Sequence, residues 1–387
     1  MTKGKILLFT TDYPPAEGGG ILTHSHFLVD TLRPLGWDFF VLSEYYIYCS
    51  EEEIKAYSKK EGYAIQHLPD APTKISFLKK VWLCCKITRK YKPDLIIGSG
   101  RHTTWYAAII SRLLGIPLVT IGHGTEFTQK TSRNDFKWNK KAYGQSSLLI
   151  SISHFSKGII ESIGIKPREI AVIHNAANES VFKPLGQELI KEFKLKKGLQ
   201  NKRIILATGA LSERKGQKIM IRALPRIIEQ FPDIFYVAIG LPYQLKELYN
   251  LARELNLQEH ILFPGVVDQQ ELVYWLNACD IYSMMSINDN GDYEGFGISV
   301  LEAALCGKTA VVSDNGGLPE AVKNGITGLV VPENDPEKTA EAVILLLENE
   351  KLKTELEINA NQHVMSSGTY HSQVEKYDHY LSQLLKK

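Results

Sequence analysis

Two carboxylates, Glu294 and Glu302, bracket the stretch of this sequence richest in groups that could do chemistry, Gly291-Asp292-Tyr293-Glu294-Gly295-Phe296-Gly297-Ile298-Ser299-Val300-Leu301-Glu302. Gly295 and Gly297 flank Phe296 just ahead of a helical pattern, so backbone amides there can turn toward phosphate oxygens. Glu294 lies outside that helix, where a carboxylate can accept hydrogen bonds from sugar hydroxyls. Glu302 lies about one turn inside and can accept the two hydroxyls of a ribose, as the acidic residue of dinucleotide folds does. A plainer reading makes Glu294 a favourable charge at a helix start and Glu302 a surface charge. Spacing alone leaves the two readings level.

Three other loops carry similar possibilities. Gly209-Ala210-Leu211-Ser212-Glu213-Arg214-Lys215-Gly216 runs from an apolar strand into a helix and places two cations at that helix's start. Fixed charge and helix dipole then add, so a diphosphate site is favoured over a solvated basic pair. Tyr13-Pro14-Pro15-Ala16-Glu17-Gly18-Gly19-Gly20 also precedes a helix. Consecutive glycines let amides approach a phosphate, modestly ahead of a simple turn, although the spacing is not that of a dinucleotide fingerprint. In Gly122-His123-Gly124-Thr125-Glu126 a histidine between glycines at a strand end is expected to be exposed and able to donate to a sugar hydroxyl or a reacting oxygen. His154, by contrast, reads as part of a helix start. Asp289-Asn290-Gly291-Asp292 is only a broken form of a D-x-D metal tripeptide, and no metal is assigned to it.

The elements that must hold these loops alternate along the whole chain. Strands are expected at Lys5–Thr10, Asp38–Leu42, Asp94–Gly98, Leu118–Ile121 and Leu148–Ser151, and again at Arg203–Thr208, Phe235–Ile239, Asp280–Met284, Thr309–Val312 and Gly328–Val331. They are near-continuous apolar runs, as strands buried on both faces require. Helical stretches separate them at Leu22–Leu35, Ile75–Lys90, Thr103–Leu114 and His154–Ser162, then at Gln217–Gln230, Gln244–Leu255, Gln270–Ala278, Ser299–Cys306 and Pro336–Glu348. Such alternation implies parallel sheets covered by helices. The lysine-rich stretch Asn178–Gln200 reads as a hinge. The expectation is two doubly wound α/β domains in tandem, over 1–180 and 190–365, facing across a cleft, with ligands beyond the carboxyl ends of the strands.

The 387 residues, 44% hydrophobic and 23% charged, describe a globular protein able to bury two cores. The net charge of +2 is unevenly spread, with 23 Lys/Arg against 16 Asp/Glu in residues 1–180 and 22 against 27 in the remainder. A basic half suggests an anionic partner or surface. The five cysteines show no ligand spacing and read as reduced thiols. Ile6–Phe9 is too short for a secretion signal, and no run approaches the roughly 20 apolar residues of a membrane span. A cytoplasmic location follows, with peripheral attachment at the inner face of a membrane left open. Lys79, Trp82, Lys86, Arg89 and Lys90 share one face of the Ile75–Lys90 helix. That face fits an anionic membrane surface, although a solvated basic face with Trp82 packed under its neighbours has the slight edge. Nucleic acid has little support, because no stacking platform accompanies the basic residues.

Glu294–Glu302, E-G-F-G-I-S-V-L-E, resembles the E-x7-E motif of the retaining glycosyltransferases of family 4, which have the GT-B fold of two Rossmann-like domains. Ala303–Gly307, Ser313–Glu320, Phe263–Val267 and Ala278–Asp280 look like that family's continuation. Pro14–Gly20, Gly122–Glu126 and His174–Asn178 match in order, so the resemblance covers nearly the whole chain. It implies a nucleotide-diphosphate sugar, UDP- or GDP-linked, as co-substrate, a glycan, lipid or small-molecule acceptor, retention of configuration, and no obligatory cofactor or metal. It implies that Glu302 binds the ribose and Glu294 a donor-sugar hydroxyl. The amides of Phe296, Gly297 and Ile298, with Lys215, would meet the distal phosphate, and the backbone at Val266–Val267 the base. Gly18, Gly19 and Gly20 would lie near the diphosphate, and His123 near the transferred sugar. The segment 366–387 resembles the terminal helix that crosses back to the first domain. One departure stands out: Ala210 occupies the position where the family commonly has Arg, so one phosphate contact is missing or is supplied by Arg214. A nucleotide-sugar epimerase on the same fold, or a non-catalytic nucleotide- or glycan-binding homologue, are the alternatives.

Overall fold

Apolar strands that must be buried on both faces, joined by segments long enough for a helix, leave parallel pairing as the economical arrangement. The computed structural model describes residues 2–16, 19–44, 49–68, 74–127 and 132–386, and within them the chain forms two compact units. Residues 1–175 with 370–387 make the first, and residues 176–369 the second.

In chain order the first unit contains β1 (Gly4–Thr10), α1 (Gly20–Leu32), β2 (Trp37–Ser43), α2 (Glu51–Glu61), β3 (Ala64–His67), α3 (Lys74–Tyr91) and β4 (Leu95–Ser99). It continues with α4 (Arg101–Leu114), β5 (Leu118–Gly122), α5 (Arg133–Gly144), β6 (Leu148–Ser151), α6 (His154–Ser162) and β7 (Ile170–Val172). The sheet is parallel throughout, in the order β3-β2-β1-β4-β5-β6-β7. Strand order reverses between β1 and β4. Right-handed crossovers therefore put α3, α4 and α5 on one face, with α1 and α2 on the other.

The second unit begins with α7 (Gln187–Lys196), followed by β8 (Arg203–Thr208), α8 (Gln217–Gln230), β9 (Ile234–Ile239), α9 (Leu245–Glu254), β10 (Ile261–Gly265) and α10 (Gln269–Ala278). Then come β11 (Ile281–Met284), α11 (Ile298–Leu305), β12 (Ala310–Ser313), α12 (Leu318–Ala321), β13 (Gly328–Val331), α13 (Pro336–Glu348) and α14 (Glu350–Ser367). Its parallel sheet runs β10-β9-β8-β11-β12-β13, with the reversal between β8 and β11. The last helix, α15 (Tyr370–Lys386), belongs to the first unit, where it packs on α1. Asp378 accepts from Lys3 Nζ at 2.8 Å and from Trp37 Nε1 at 2.8 Å, which ties the end of the chain to its beginning.

Every expected strand is present to within one residue. The structure adds β3, β7 and β10, and helices including α2, α5 and α14. The presumed hinge at 178–200 is corrected: it holds α7, whose Phe193 stacks on Tyr274 with centroids 5.3 Å apart and meets Trp275 edge-on. Those aromatic contacts fix the segment to α10 of the second unit. Gly368 O accepts from Ala177 N at 2.9 Å, so the two places where the chain passes between units are hydrogen-bonded neighbours.

Candidate active site

Loops at the carboxyl ends of β8 and β11 meet where the second sheet changes direction, the place where open α/β sheets bind ligands. The first of them needs glycine at each turn. Gly216 has φ +64°, and a Cβ there would lie 1.7 Å from Met285 O. Only a residue without a side chain lets α8 begin this close to the end of β11. Gly209 has φ +121°, and the aliphatic stem of Lys215 lies over it. The result brings Lys215 and Arg214 onto one carboxylate: Glu294 Oε2 accepts from Lys215 Nζ at 2.7 Å and from Arg214 Nη1 at 2.6 Å. Asp292 Oδ2 stands 3.7 Å from Arg214 Nε.

Glu294 is buried rather than open at the helix start. Its backbone N donates to Asn315 Oδ1 at 3.1 Å, and its carbonyl accepts from Gly317 N at 2.8 Å. A Cβ at Gly316 would fall 2.0 Å from Glu294 O, and one at Gly317 would fall 2.3 Å from Gly295 O. Asn315 in turn donates to Glu333 at 2.9 Å. Burial on its own would raise the Glu294 pKa, but the charges of Lys215 and Arg214, with their hydrogen bonds, bring it down to about 2. Burial pulls the Lys215 pKa down despite Glu294. Arg214 goes up, because Glu294 and Asp292 outweigh the opposing effect of burial.

Phe296 and Gly297 are buried ahead of α11, and Gly297 caps that helix with φ +97° and no side-chain acceptor. The first-turn amides of α11, beginning at Ile298, therefore lack the usual side-chain oxygen. Glu302 sits half-buried on the same helix. Its pKa is raised by burial to about 7, and among the described residues its carboxylate has neither a hydrogen bond nor an ion pair. Val267 stands apart, past the end of the edge strand β10, with β9 between that strand and β8. Ala210 accepts at its carbonyl from Gln217 Nε2 at 3.1 Å.

In the first unit the equivalent positions follow β1, β4 and β5. Gly18 lies outside the described residues. Gly19 caps α1 and Gly20 is its first residue, two residues ahead of the expected helix start at Leu22. An added Cβ at either would meet nothing within 4 Å, so packing does not demand these glycines. His123 is corrected from exposed to buried. Gly124 at φ +95° runs past Ser156, which seats the loop against α6, and the imidazole then turns inward. Its Nε2 lies 2.9 Å from Ser99 Oγ, and its ring meets that of His24 edge-on at 5.2 Å. Burial lowers its pKa to about 4, which keeps the ring neutral. His24 is also held neutral, first by burial and then by His123, with Nε2 2.8 Å from the Tyr377 hydroxyl of α15. Glu126 Oε1 accepts from His123 N at 3.3 Å, and Asn139 of α5 holds the Glu126 carbonyl at 2.7 Å. His154 begins α6 just after its N-cap, Ser153.

Sequence reasoning missed Ser99, His24, Tyr377 and Asn315. Ser99 could have been noticed as the polar end of an apolar strand next to Gly100. The others carry no local signal, because their partners are distant in sequence.

Two family models match the chain: Glycosyltransferase Family 4 over residues 18–181 and Glycosyl transferases group 1 over residues 190–363. The chain belongs to the glycosyltransferases of the GT-B fold. One relative is a GDP-mannose-dependent alpha-(1-6)-phosphatidylinositol monomannoside mannosyltransferase of Mycolicibacterium smegmatis, 24% identical over 363 residues that span 87% of this chain and 88% of the relative. A second, from Corynebacterium glutamicum, is a GDP-mannose-dependent monoacylated alpha-(1-6)-phosphatidylinositol monomannoside mannosyltransferase, 25% identical over 357 residues and 89% of each chain. Anabaena HepE, solved in complex with UDP and glucose, superposes with a TM-score of 0.84 at 21% identity, covering 98% of this chain and 100% of that one. At that identity the likeness carries the fold. As a glycosyltransferase the protein is a transferase, and the Glu294–Lys215–Arg214 cluster occupies the switch point of the unit that matches the group 1 model.

Proposed function

We propose that this glycosyltransferase moves a hexose-type sugar from a UDP- or GDP-sugar to a glycan, a lipid-linked or a small-molecule acceptor, with retention of configuration. The observation that carries the reading is the ion cluster in which Lys215 and Arg214 share Glu294 Oε2. Two cations beside an uncapped helix start suit a diphosphate, and a carboxylate that already accepts two charged donors suits a sugar hydroxyl once a phosphate takes one of those cations. In this account Lys215, Arg214 and the amides of Phe296, Gly297 and Ile298 stabilise charge growing on the departing phosphate. Arg214 also offsets the missing guanidinium at Ala210. Glu302, half-buried without a partner, takes the ribose hydroxyls, and the backbone at Val267 faces the base. Gly18, Gly19 and Gly20 approach the diphosphate, and neutral His123 exchanges a hydrogen bond with the transferred sugar. No metal enters these steps.

The relatives reported above support a glycan or lipid acceptor; the mannosyltransferases among them act on phosphatidylinositol mannosides. Peripheral contact of α3 with an anionic membrane surface is part of the same reading. Nothing observed favours an epimerase. The test is a thermal-shift screen of UDP-, GDP- and ADP-sugars, followed by product analysis with the stabilising donor. A transferred sugar whose anomeric proton keeps the donor's configuration supports the proposal. Release of a free epimer without an acceptor would sink it, and failure of every nucleotide-sugar to bind would point to a non-catalytic homologue.

A further inference from the structure

The helices on one face of the first sheet are almost free of acidic residues. α4 packs between α3 and α5. Together the three contain 12 Lys/Arg and a single acidic residue, Asp135. Lys80 is turned inward, against Glu44 at 3.3 Å. Lys79, Lys86, Lys90, Arg112, Lys137 and Lys141 are exposed and, among the described residues, make no ion pair. Large apolar side chains stand among them. Leu78 is 69% exposed, Trp82 66%, Leu113 62% and Trp138 44%. Trp82 is thus not packed beneath its neighbours; Lys86 sits 5.6 Å from its ring centroid and Lys141 5.7 Å from that of Trp138.

Between α4 and α5 this surface opens into a cavity of about 200 Å³. Trp105 and Trp138 wall it, Ala108 and Ala142 lie along it, and Arg112 and Lys141 stand among its lining residues. The two indoles lie 6.0 Å apart at an interplanar angle of 35°. The cavity is smaller than the roughly 300–1,000 Å³ of sites that enclose whole small-molecule ligands. Crossover helices run opposite to the strands they join, so the later half of α4, Ala108–Leu113, lies on the side remote from the strands' carboxyl ends. This is not where the sheet presents reacting groups.

We infer that the α3–α4–α5 layer docks on an anionic lipid bilayer, with one hydrocarbon chain of a bilayer lipid entering the Trp105–Trp138 cavity and its anionic headgroup held between Arg112 and Lys141. The inference extends the membrane contact of the proposed function from the α3 face to a lipid-chain seat. Indoles and aliphatic residues on a basic surface match the chemistry of the headgroup region, where apolar side chains insert and cations attract acidic lipids. The breadth of the surface, from Leu78 to Trp138, favours a planar bilayer over a single free ligand.

The experiment is partition of the full chain onto phosphatidylcholine vesicles with and without phosphatidylglycerol, the latter carrying brominated chains that quench tryptophan on contact. Partition at least tenfold stronger onto the anionic vesicles, weakening with salt, is expected, together with quenching that drops in Trp138→Phe. The double variant Arg112→Glu/Lys141→Glu lowers partition more than tenfold while leaving the thermal shift given by the donor unchanged. That donor shift is read separately, so loss of vesicle binding and loss of the transferase reading are told apart. Equal binding to neutral vesicles overturns the inference, as does anionic binding with no Trp138-dependent quenching. So does preference for a soluble polyanion, such as nucleic acid, over the vesicles at the same salt.

Discussion

At the switch point of the second sheet, Lys215 and Arg214 are held on the carboxylate of Glu294 at 2.7 and 2.6 Å, whereas beside that of the first sheet Ser99, His123, His24 and Tyr377 are neutral and packed against one another. A pre-paired charge cluster cannot receive a ligand without exchanging partners, and it favours one that brings negative charge. A buried neutral cluster has no charge to exchange and can offer only hydrogen bonds and shape. The two units also answer acid in opposite ways. His123 and His24 titrate below their ordinary value, so the unfolded chain takes up protons that the folded first unit does not. Their contribution to stability is present above about pH 6.5 and is lost as pH falls toward 4. Glu302 is raised to about 7. The folded second unit therefore holds that proton more tightly, and stability from this group falls as pH rises from about 4.3 through 7.

The largest effect that could break this contrast is on turnover. Lys215→Ala is expected to lower kcat by roughly 10²–10³, the usual cost of removing a preorganised charge stabiliser, with donor affinity much less affected. Steady-state kinetics on the stabilising donor decides it, and an equal loss in His24→Ala would erase the distinction between the two clusters. Next in size, Glu302→Ala removes an acceptor of two hydroxyls, at about 1.5–3 kcal/mol for each bond to a charged group. Donor binding should disappear from a calorimetric titration, and unchanged affinity would refute the ribose assignment. Glu302→Gln sharpens the comparison further: its melting temperature should exceed the parent's at pH 8 and approach it only near pH 4, and the rise in donor affinity expected of the parent between pH 6 and 8 should flatten.

Smaller still, Tyr377→Phe deletes the partner of His24 Nε2 and should cost about 1–3 kcal/mol, since a buried polar group loses its hydrogen bond. Chemical denaturation measures this, and donor affinity should not move. The smallest effect belongs to Ala210→Arg, for which a change of less than tenfold in donor KM is expected because Arg214 already supplies a guanidinium beside Lys215. A hundredfold gain would show that Arg214 does not serve the phosphate.

The sheets were legible because their strands are continuous apolar runs, and all ten that carry this signal are present. What escaped had weaker physics behind it. β3 and β7 are short edge strands, and β10 contains Pro264, tolerated there because an edge strand can spare the N–H. α5 has too many charges among Phe136, Trp138 and Tyr143 for a clean apolar stripe. In the site, Glu294, Lys215 and Arg214 could be named because each lies in a strand-to-helix loop, but their convergence on one oxygen is a product of glycine-permitted approaches such as Gly216 against Met285. His123 was misjudged as exposed. The groups that bury it, His24 on α1 and Ser99 at the end of β4, come from other turns of the fold and leave no trace near residue 123.

α15 carries a consequence for biosynthesis. Its Asp378 meets Lys3 and Trp37, and its Tyr377 meets His24, although these partners lie between 341 and 375 residues apart in the chain. A ribosome releases the first unit's sheet early, yet its closing helix is translated after the whole of the second unit. The second unit, residues 176–369, has emerged by then and can fold as a unit of its own. The first unit is therefore completed only after the second has been made, and until α15 emerges its α1 face waits with Phe27 and His24 uncovered.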